Sequence, residues 1–154
     1  MWTCPKCGAR FVNRNQWHSC GRARLDQWLD GLGPHGLALY DRFAALVGAC
    51  GEFHVAPART RIAFLGQVRF ASITRLRDDE MVCTLALPYT LRSPRFARVE
   101  EVVPGWFVHT LVVTTPEQLD DEVQTWIRES YRLMGMRERL AGRQLAQRTT
   151  RARG

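Results

Sequence analysis

Four side chains that bind soft metal ions stand within the first 20 residues of the chain. Cys4 and Cys7 are separated by two residues, and His18 and Cys20 follow after ten intervening residues. Three thiolates and one imidazole complete a tetrahedral zinc site with no position left for water, so we expect a structural Zn²⁺ ion. A segment this short cannot bury its own core, and metal binding would stabilise it. The pattern predicts a zinc knuckle over residues 1–22; reduced thiols beside a surface histidine are the alternative.

The length and composition leave room for one further domain. At 154 residues and 45% hydrophobic, the chain can bury one ordinary core, which we assign to residues 23–136, followed by a basic tail over residues 137–154. Cys50 and Cys83 lie in apolar stretches, so we expect small core residues and not disulfide partners. No run approaches the roughly 18 apolar residues that span a bilayer, and we expect a cytoplasmic protein without membrane insertion.

The net charge of +7 is concentrated at the two ends of the chain. Residues 1–24 carry five basic side chains and no acid, and residues 137–154 carry six arginines and one glutamate, whereas the body between them holds 11 arginines and 14 acids. Basic ends neutralise phosphates and give sequence-independent affinity for nucleic acid. A solvated arginine-rich tail is the alternative. The predicted nucleic-acid contacts are Lys6, Arg10, Arg14, Arg143 and Arg148.

Two amphipathic helices are predicted in residues 23–136. Apolar residues recur at three- and four-residue intervals over residues 34–49. The second helix begins where Thr115, Pro116 and Gln118 form a capping box, and Gly135 is its natural end.

Short β-branched and aromatic runs between these helices predict strands. Asp78, Asp79 and Glu80 form the clearest hairpin turn. Neighbouring strands are too close in sequence for crossover helices, so we expect an α+β domain with an antiparallel sheet of four to six strands packed with two main helices, one sheet face on the core and one partly exposed. Residues 91–102 suit either a strand or a helical turn. The predicted strands cover residues 53–55, 61–65, 68–73, 82–87 and 106–113.

Polar side chains on these strands suggest a groove for an anionic ligand. His54 and His109 alternate with apolar residues, and on a shared sheet face they would line a groove with Arg59, Arg61 and Arg69. A wet sheet face with scattered polar groups is the alternative. No catalytic motif occurs, so a binding or adaptor module for nucleic acid or another anionic ligand is favoured. A small enzyme with His109 as acid/base and Arg61 as anion holder, and a protein-interaction module, remain open.

Several short motifs carry a family resemblance. In the knuckle they comprise Trp2, Cys4, Pro5, Cys7, Gly8, Phe11, Asn15, Gln16 and residues 18–21; in the body they comprise residues 60–64, 69–71, 93–96, 104–106 with His109, and 116–122. With these motifs the chain resembles, over residues 2–140, a bacterial family catalogued as domain of unknown function 5655. The resemblance implies a compact body with an antiparallel sheet between two helices and brings no established activity. Its recurring polar positions imply a ligand near Thr60, Arg61, Arg69, Arg95 and His109.

Overall fold

The computed structural model of the chain describes residues 1–5, 10–15 and 25–137. Six strands form one antiparallel sheet on which two main helices pack, so the α+β prediction is confirmed. None of the described helices is long and apolar enough to cross a membrane. The helices are α1 (Leu25–Leu29), α2 (Pro34–Gly48) and α3 (Asp121–Ser130), and a separate hairpin pairs β1 (Trp2–Thr3) with β2 (Arg10–Phe11).

The strands of the main sheet lie in the spatial order β3-β4-β5-β6-β8-β7. Short turns connect β3 through β6 as an antiparallel meander; the chain then crosses to the edge of the sheet as β7 and returns as β8, which lies between β6 and β7. Residues 91–102, for which sequence left two alternatives, therefore lead into a strand. The strands are β3 (His54–Pro57), β4 (Ile62–Leu65), β5 (Arg69–Leu76), β6 (Met81–Leu87), β7 (Phe96–Val103) and β8 (Trp106–Val113).

Helices α2 and α3 pack on the same face of the sheet. Phe43 of α2 meets Phe64 of β4 edge-on, with 5.2 Å between the ring centroids. Trp126 of α3 lies 4.6 Å from the ring of Phe96 in β7. The sheet is not enclosed between the two helices, and that part of the expectation from the family resemblance is wrong.

A β-bulge changes the alternation of β5. The register with β4 shifts after Phe64, so that Leu65 pairs with Arg69 and Phe70 is the extra residue. Phe70 is buried edge-on against Tyr131, with 5.3 Å between the ring centroids. Simple alternation would have placed Ala71 on the same face as Arg69, whereas Ala71 is buried and pairs with Phe64.

The last helix begins later than its capping box predicts. The Gln118 side chain accepts a hydrogen bond from the Thr115 N–H at 3.1 Å, but this box closes a 3-10 turn. Asp120 accepts from the Val123 N–H at 3.2 Å and is the N-cap of α3. A π-helical turn continues from α3 and ends at Gly135, the predicted end.

Gly135 fixes the turn from which Arg69 emerges. Its carbonyl oxygen accepts hydrogen bonds from the N–H groups of Gln67 and Val68 at 2.6 and 3.0 Å. A Cβ at this position would lie 2.8 Å from the ring of Phe70, so the close approach requires glycine. The end of the helical layer and the beginning of β5 are thereby held together.

The turn between β5 and β6 caps the first main helix from a distance. The N-cap of α2 is Gly33, which has no side chain to accept a hydrogen bond. Asp78 of the turn accepts instead, with its Oδ1 2.9 Å from the Gly36 nitrogen. A carboxylate at the positive end of a helix is also favoured by the helix dipole.

We expect Asp78→Ala to lower the free energy of unfolding by about 1 kcal/mol, because the Gly36 N–H loses its acceptor. Urea denaturation measures the change. Asp79→Ala removes the same charge from the same turn and should change the free energy by less than about 0.5 kcal/mol. Equal effects of the two substitutions would contradict the assignment of Asp78 as a cap.

Candidate functional site

The two faces of the sheet carry different side chains. Directly paired residues of antiparallel neighbours point to the same face, so the row from Phe64 to His109 defines the face beneath α2 and α3. The row of Ser72, Thr84 and Thr110 lies on the other side, which we call the open face because it faces away from α2 and α3, although Ser72 is only 3% exposed. The hydroxyls of Ser72 and Thr84 are 2.6 Å apart and hydrogen-bonded.

Arg61 and Arg69 lie on the open face beside β4 and β5. Arg69 pairs with Leu65, whose side chain points away from that of buried Phe64, and Arg61 precedes Ile62 at the start of β4. Desolvation lowers the pKa of Arg69, and the nearby guanidinium of Arg61 lowers it further. In the part of the chain that the structure describes, neither guanidinium forms an ion pair with a carboxylate. Two like charges are therefore held near each other.

The other arginines of the open face have acidic partners. Nη1 of Arg75 is 3.5 Å from Oε1 of Glu80. Arg98 forms an ion pair with Glu100, two residues along β7. Positive charge without a described partner is thus found at the β4–β5 half of this face.

The N-terminal hairpin adds Arg10 near this half of the sheet. Strand β2 lies against β3, where His54 is only 7% exposed and its Nδ1 has no hydrogen-bond partner among the described residues. Burial lowers the pKa of His54, and the positive charge of Arg10 lowers it further, whereas Glu52 raises it. We define the basic patch as Arg10, Arg61 and Arg69.

His109 lies on the opposite face and does not join this patch. It is fully buried, its Nε2 accepts from the Leu91 N–H at 2.9 Å, and its Nδ1 is 3.1 Å from the Phe107 carbonyl oxygen. These partners assign the proton to Nδ1. The ring also packs edge-on against Phe96 at 4.9 Å. Because both nitrogens are occupied and no surface is exposed, His109 holds the loop before β7 and does not line a groove.

Arg95 forms ion pairs and hydrogen bonds with residues at the start of α3. Its Nη1 is 2.9 Å from Oδ1 of Asp120 and 3.0 Å from Oε1 of Glu122, and its Nη2 is 2.5 Å from the Gln118 carbonyl oxygen. The guanidinium also lies 5.6 Å from the centre of the Trp126 ring. Hydrogen bonds to Asp120 and Glu122 raise the pKa of Arg95, and the bond from Arg95 lowers the pKa of Asp120. Its charge is compensated, so Arg95 is placed apart from the basic patch.

A groove of about 580 Å³ on the helical layer contains none of the predicted site residues. Two polar groups that line the groove already have hydrogen-bond partners. The Cys50 thiol donates to the Leu46 carbonyl oxygen, and the Tyr131 hydroxyl donates to the Glu52 carbonyl oxygen. Burial raises the pKa of the Cys50 thiol, and Arg128 lowers it. The i, i+4 spacing of two arginines is the sequence signal for this groove. It is lined by Cys50, Thr125, Arg128, Glu129, Tyr131, Arg132 and Met136.

The predicted zinc ligands fall mostly outside the described residues. Cys4 directly follows β1 and is buried. Within residues 1–5, 10–15 and 25–137, no three His, Cys, Asp or Glu side chains are grouped so as to hold a metal ion. Arg10 and Arg14 are exposed. The other predicted zinc ligands lie outside the described residues; they are Cys7, His18 and Cys20. So do three of the predicted nucleic-acid contacts, which are Lys6, Arg143 and Arg148.

The two remaining thiol predictions concern the body. Cys83 is fully buried in β6, and burial raises its pKa to about 12. Cys50 is half-buried at the edge of the core. The expectation of small core residues is confirmed for Cys83 and in part for Cys50.

We expect acid to destabilise the fold through His109. Its folded pKa is below the ordinary value of 6.5, so its contribution to stability is complete above that pH and declines as the pH falls below it. The free energy of unfolding, measured by urea denaturation from pH 7 to pH 5, should fall less steeply in His109→Gln than in the wild type. His54→Gln provides the comparison, since burial also lowers the pKa of His54, and the double variant should show the flattest profile. If the free energy of unfolding of His109→Gln fell with pH as steeply as that of the wild type, the acid sensitivity could not be assigned to His109.

Comparison with known proteins gives one finding. The family model described as Domain of unknown function (DUF5655) matches residues 29–134, which include α2, α3 and all six strands of the main sheet. No curated protein and no solved structure matches the chain. Since the match spans more than half of its length, the chain belongs to the family of domain of unknown function DUF5655.

Proposed function

We propose that the protein binds nucleic acid at the basic patch. The observation that carries this proposal is the pair of Arg61 and Arg69 on the open face, where one guanidinium lowers the pKa of the other and no described carboxylate pairs with either. Like charges near each other are unfavourable in the absence of a ligand, and a phosphate between them would attract both guanidinium groups and outweigh their repulsion.

The open surface favours a polyanion over a small enclosed ligand. Arg61 and Arg69 belong to a sheet face, whereas small-molecule sites are concave and bury most of their ligand. Arg10 and Arg14 extend the positive charge onto the N-terminal hairpin. Lys6, Arg143 and Arg148 would add phosphate contacts from the two basic ends of a chain whose net charge is +7.

The proposal includes a structural zinc ion in the N-terminal segment. Cys4, Cys7, His18 and Cys20 would hold it, and three thiolates with one imidazole are a donor set that zinc prefers. The pairing of Trp2 with Phe11 turns the chain back on itself around Cys4, as a knuckle requires. When bound, the ion supplies a constraint on the segment and no reactive position. It would keep Arg10 beside the sheet.

We expect Arg61→Ala/Arg69→Ala to weaken nucleic-acid binding by about tenfold or more, since two phosphate contacts are lost. Fluorescence anisotropy with labelled single-stranded and duplex oligonucleotides over a series of salt concentrations measures the affinity. The slope of log affinity against log salt should become shallower by about two in the double variant.

The matched control is Arg128→Ala/Arg132→Ala, which removes the same charge from the groove on the helical layer. It should change the affinity by less than about threefold if the location of the arginines, and not the net charge of the protein, determines nucleic-acid binding. A loss confined to the control would assign binding to that groove and reject the open face. Wild-type binding that does not respond to salt would reject phosphate recognition altogether.

We expect purified protein to contain about one zinc ion per chain. Elemental analysis of Cys4→Ser should show that zinc is lost, because a thiolate ligand is removed. We also expect the N-terminal segment of this variant to unfold less cooperatively. Cys50→Ser is the control, since that thiol donates to a helical carbonyl in the body and should leave the zinc content unchanged. Protein that neither contains zinc nor takes it up on refolding would contradict the zinc site.

A further inference from the structure

The two edges of the main sheet differ in how they are protected. Edge strand β3 has four residues, ends at Pro57 and lies against β2 of the N-terminal hairpin. Edge strand β7 has eight residues, contains no proline, and pairs only on its β8 side among the described residues. Unpaired backbone donors and acceptors on a long edge can receive another strand.

The outer side of β7 carries apolar surface near the edge. Val102 and Val103, at the end of β7 beside the turn to β8, are 52% and 55% exposed. These two neighbouring valines form apolar surface at the edge, and its burial would be favourable. A second strand added at this edge would cover that surface.

Charge on β7 is complementary to itself. Arg98 pairs with Thr110 and Glu100 pairs with Val108, so both side chains point to the open face, with Val99 between them. An antiparallel copy of the strand related by a twofold axis through Val99 would place each Arg98 opposite Glu100 of the second copy. Each interface would contain two such pairs.

The bulges of β7 leave this central stretch regular. The register with β8 shifts between Phe96 and Arg98 and again between Glu101 and Val103. Bulges often protect an edge from pairing, but these lie on either side of Arg98–Glu101, which keeps an unbroken register.

We propose that the protein forms a homodimer by antiparallel pairing of β7 with β7 of a second copy. Main-chain hydrogen bonds across the axis supply the affinity, and the reciprocal Arg98–Glu100 pairs set the register. The two six-stranded sheets become one continuous sheet across the interface. This inference does not depend on nucleic-acid binding or on zinc.

The test is charge reversal followed by charge exchange. Arg98→Glu places two acids opposite each other on both sides of the twofold axis, and Glu100→Arg does the same with two bases. We expect each single variant to raise the dimer dissociation constant by about tenfold or more, and the double variant Arg98→Glu/Glu100→Arg to restore dimerisation. Sedimentation velocity and light scattering over a wide range of protein concentration measure the oligomeric state.

Arg75→Glu is the matched control, because Arg75 forms a similar exposed ion pair with Glu80 away from the edge and its reversal should leave the dissociation constant unchanged. Circular dichroism verifies that all variants are folded. A wild-type protein that stays monomeric at high concentration would overturn the proposal. So would a dimer that tolerates Arg98→Glu as well as it tolerates Arg75→Glu.

Discussion

Burial of one sheet face beneath α2 and α3 is the constraint on which the other features of the structure depend. The central strand β6 presents Met81, Cys83, Leu85 and Leu87 to this layer, and all four are fully buried. Where helix and sheet meet, the hydroxyl of buried Ser130 lies within hydrogen-bonding distance of two main-chain carbonyl oxygens of the sheet, at 2.6 and 2.9 Å. An unsatisfied polar group in this position would cost about 1–3 kcal/mol, so the helix is held at one depth on the sheet.

The one-sided core separates structural from accessible polar residues. A single step along a strand moves a side chain from one face to the other. The consequences are opposite for two of the residues that were predicted to bind a ligand. His109 falls on the covered face and becomes a neutral, fully hydrogen-bonded part of the core. Arg61 falls on the open face, close enough to lower the pKa of Arg69. For these two residues, location relative to the helical layer, and not residue type, decides whether the polar group can meet a ligand.

Local patterns in the sequence were sufficient for the main elements and insufficient for faces and partners. The helix over residues 34–49 and the turn at Asp78 were predicted because spacing and turn chemistry are local properties. The role of Asp78 as a cap for α2 was not predicted, because its hydrogen bond with the Gly36 N–H joins residues 42 positions apart. The ion pairs of Arg95 were likewise not predicted, because Asp120 and Glu122 lie more than 20 positions later, at the start of α3. Bulges add a further limit, as one extra residue in β5 reverses the alternation that sequence reasoning assumes.

Sheet twist determines how the proposed dimer and the proposed binding surface would combine. In the strand order of the main sheet, β5 is separated from the β7 edge by β6 and β8, so seven strand steps would separate the two copies of β5 across the twofold axis. Neighbouring strands are rotated by about 20–25°, which accumulates to roughly 150° over that distance. The two copies of Arg69 would then face nearly opposite directions. Dimerisation would provide two independent surfaces, able to bridge separate strands or distant parts of one long strand, and the affinity for a short oligonucleotide should therefore be set within a single copy.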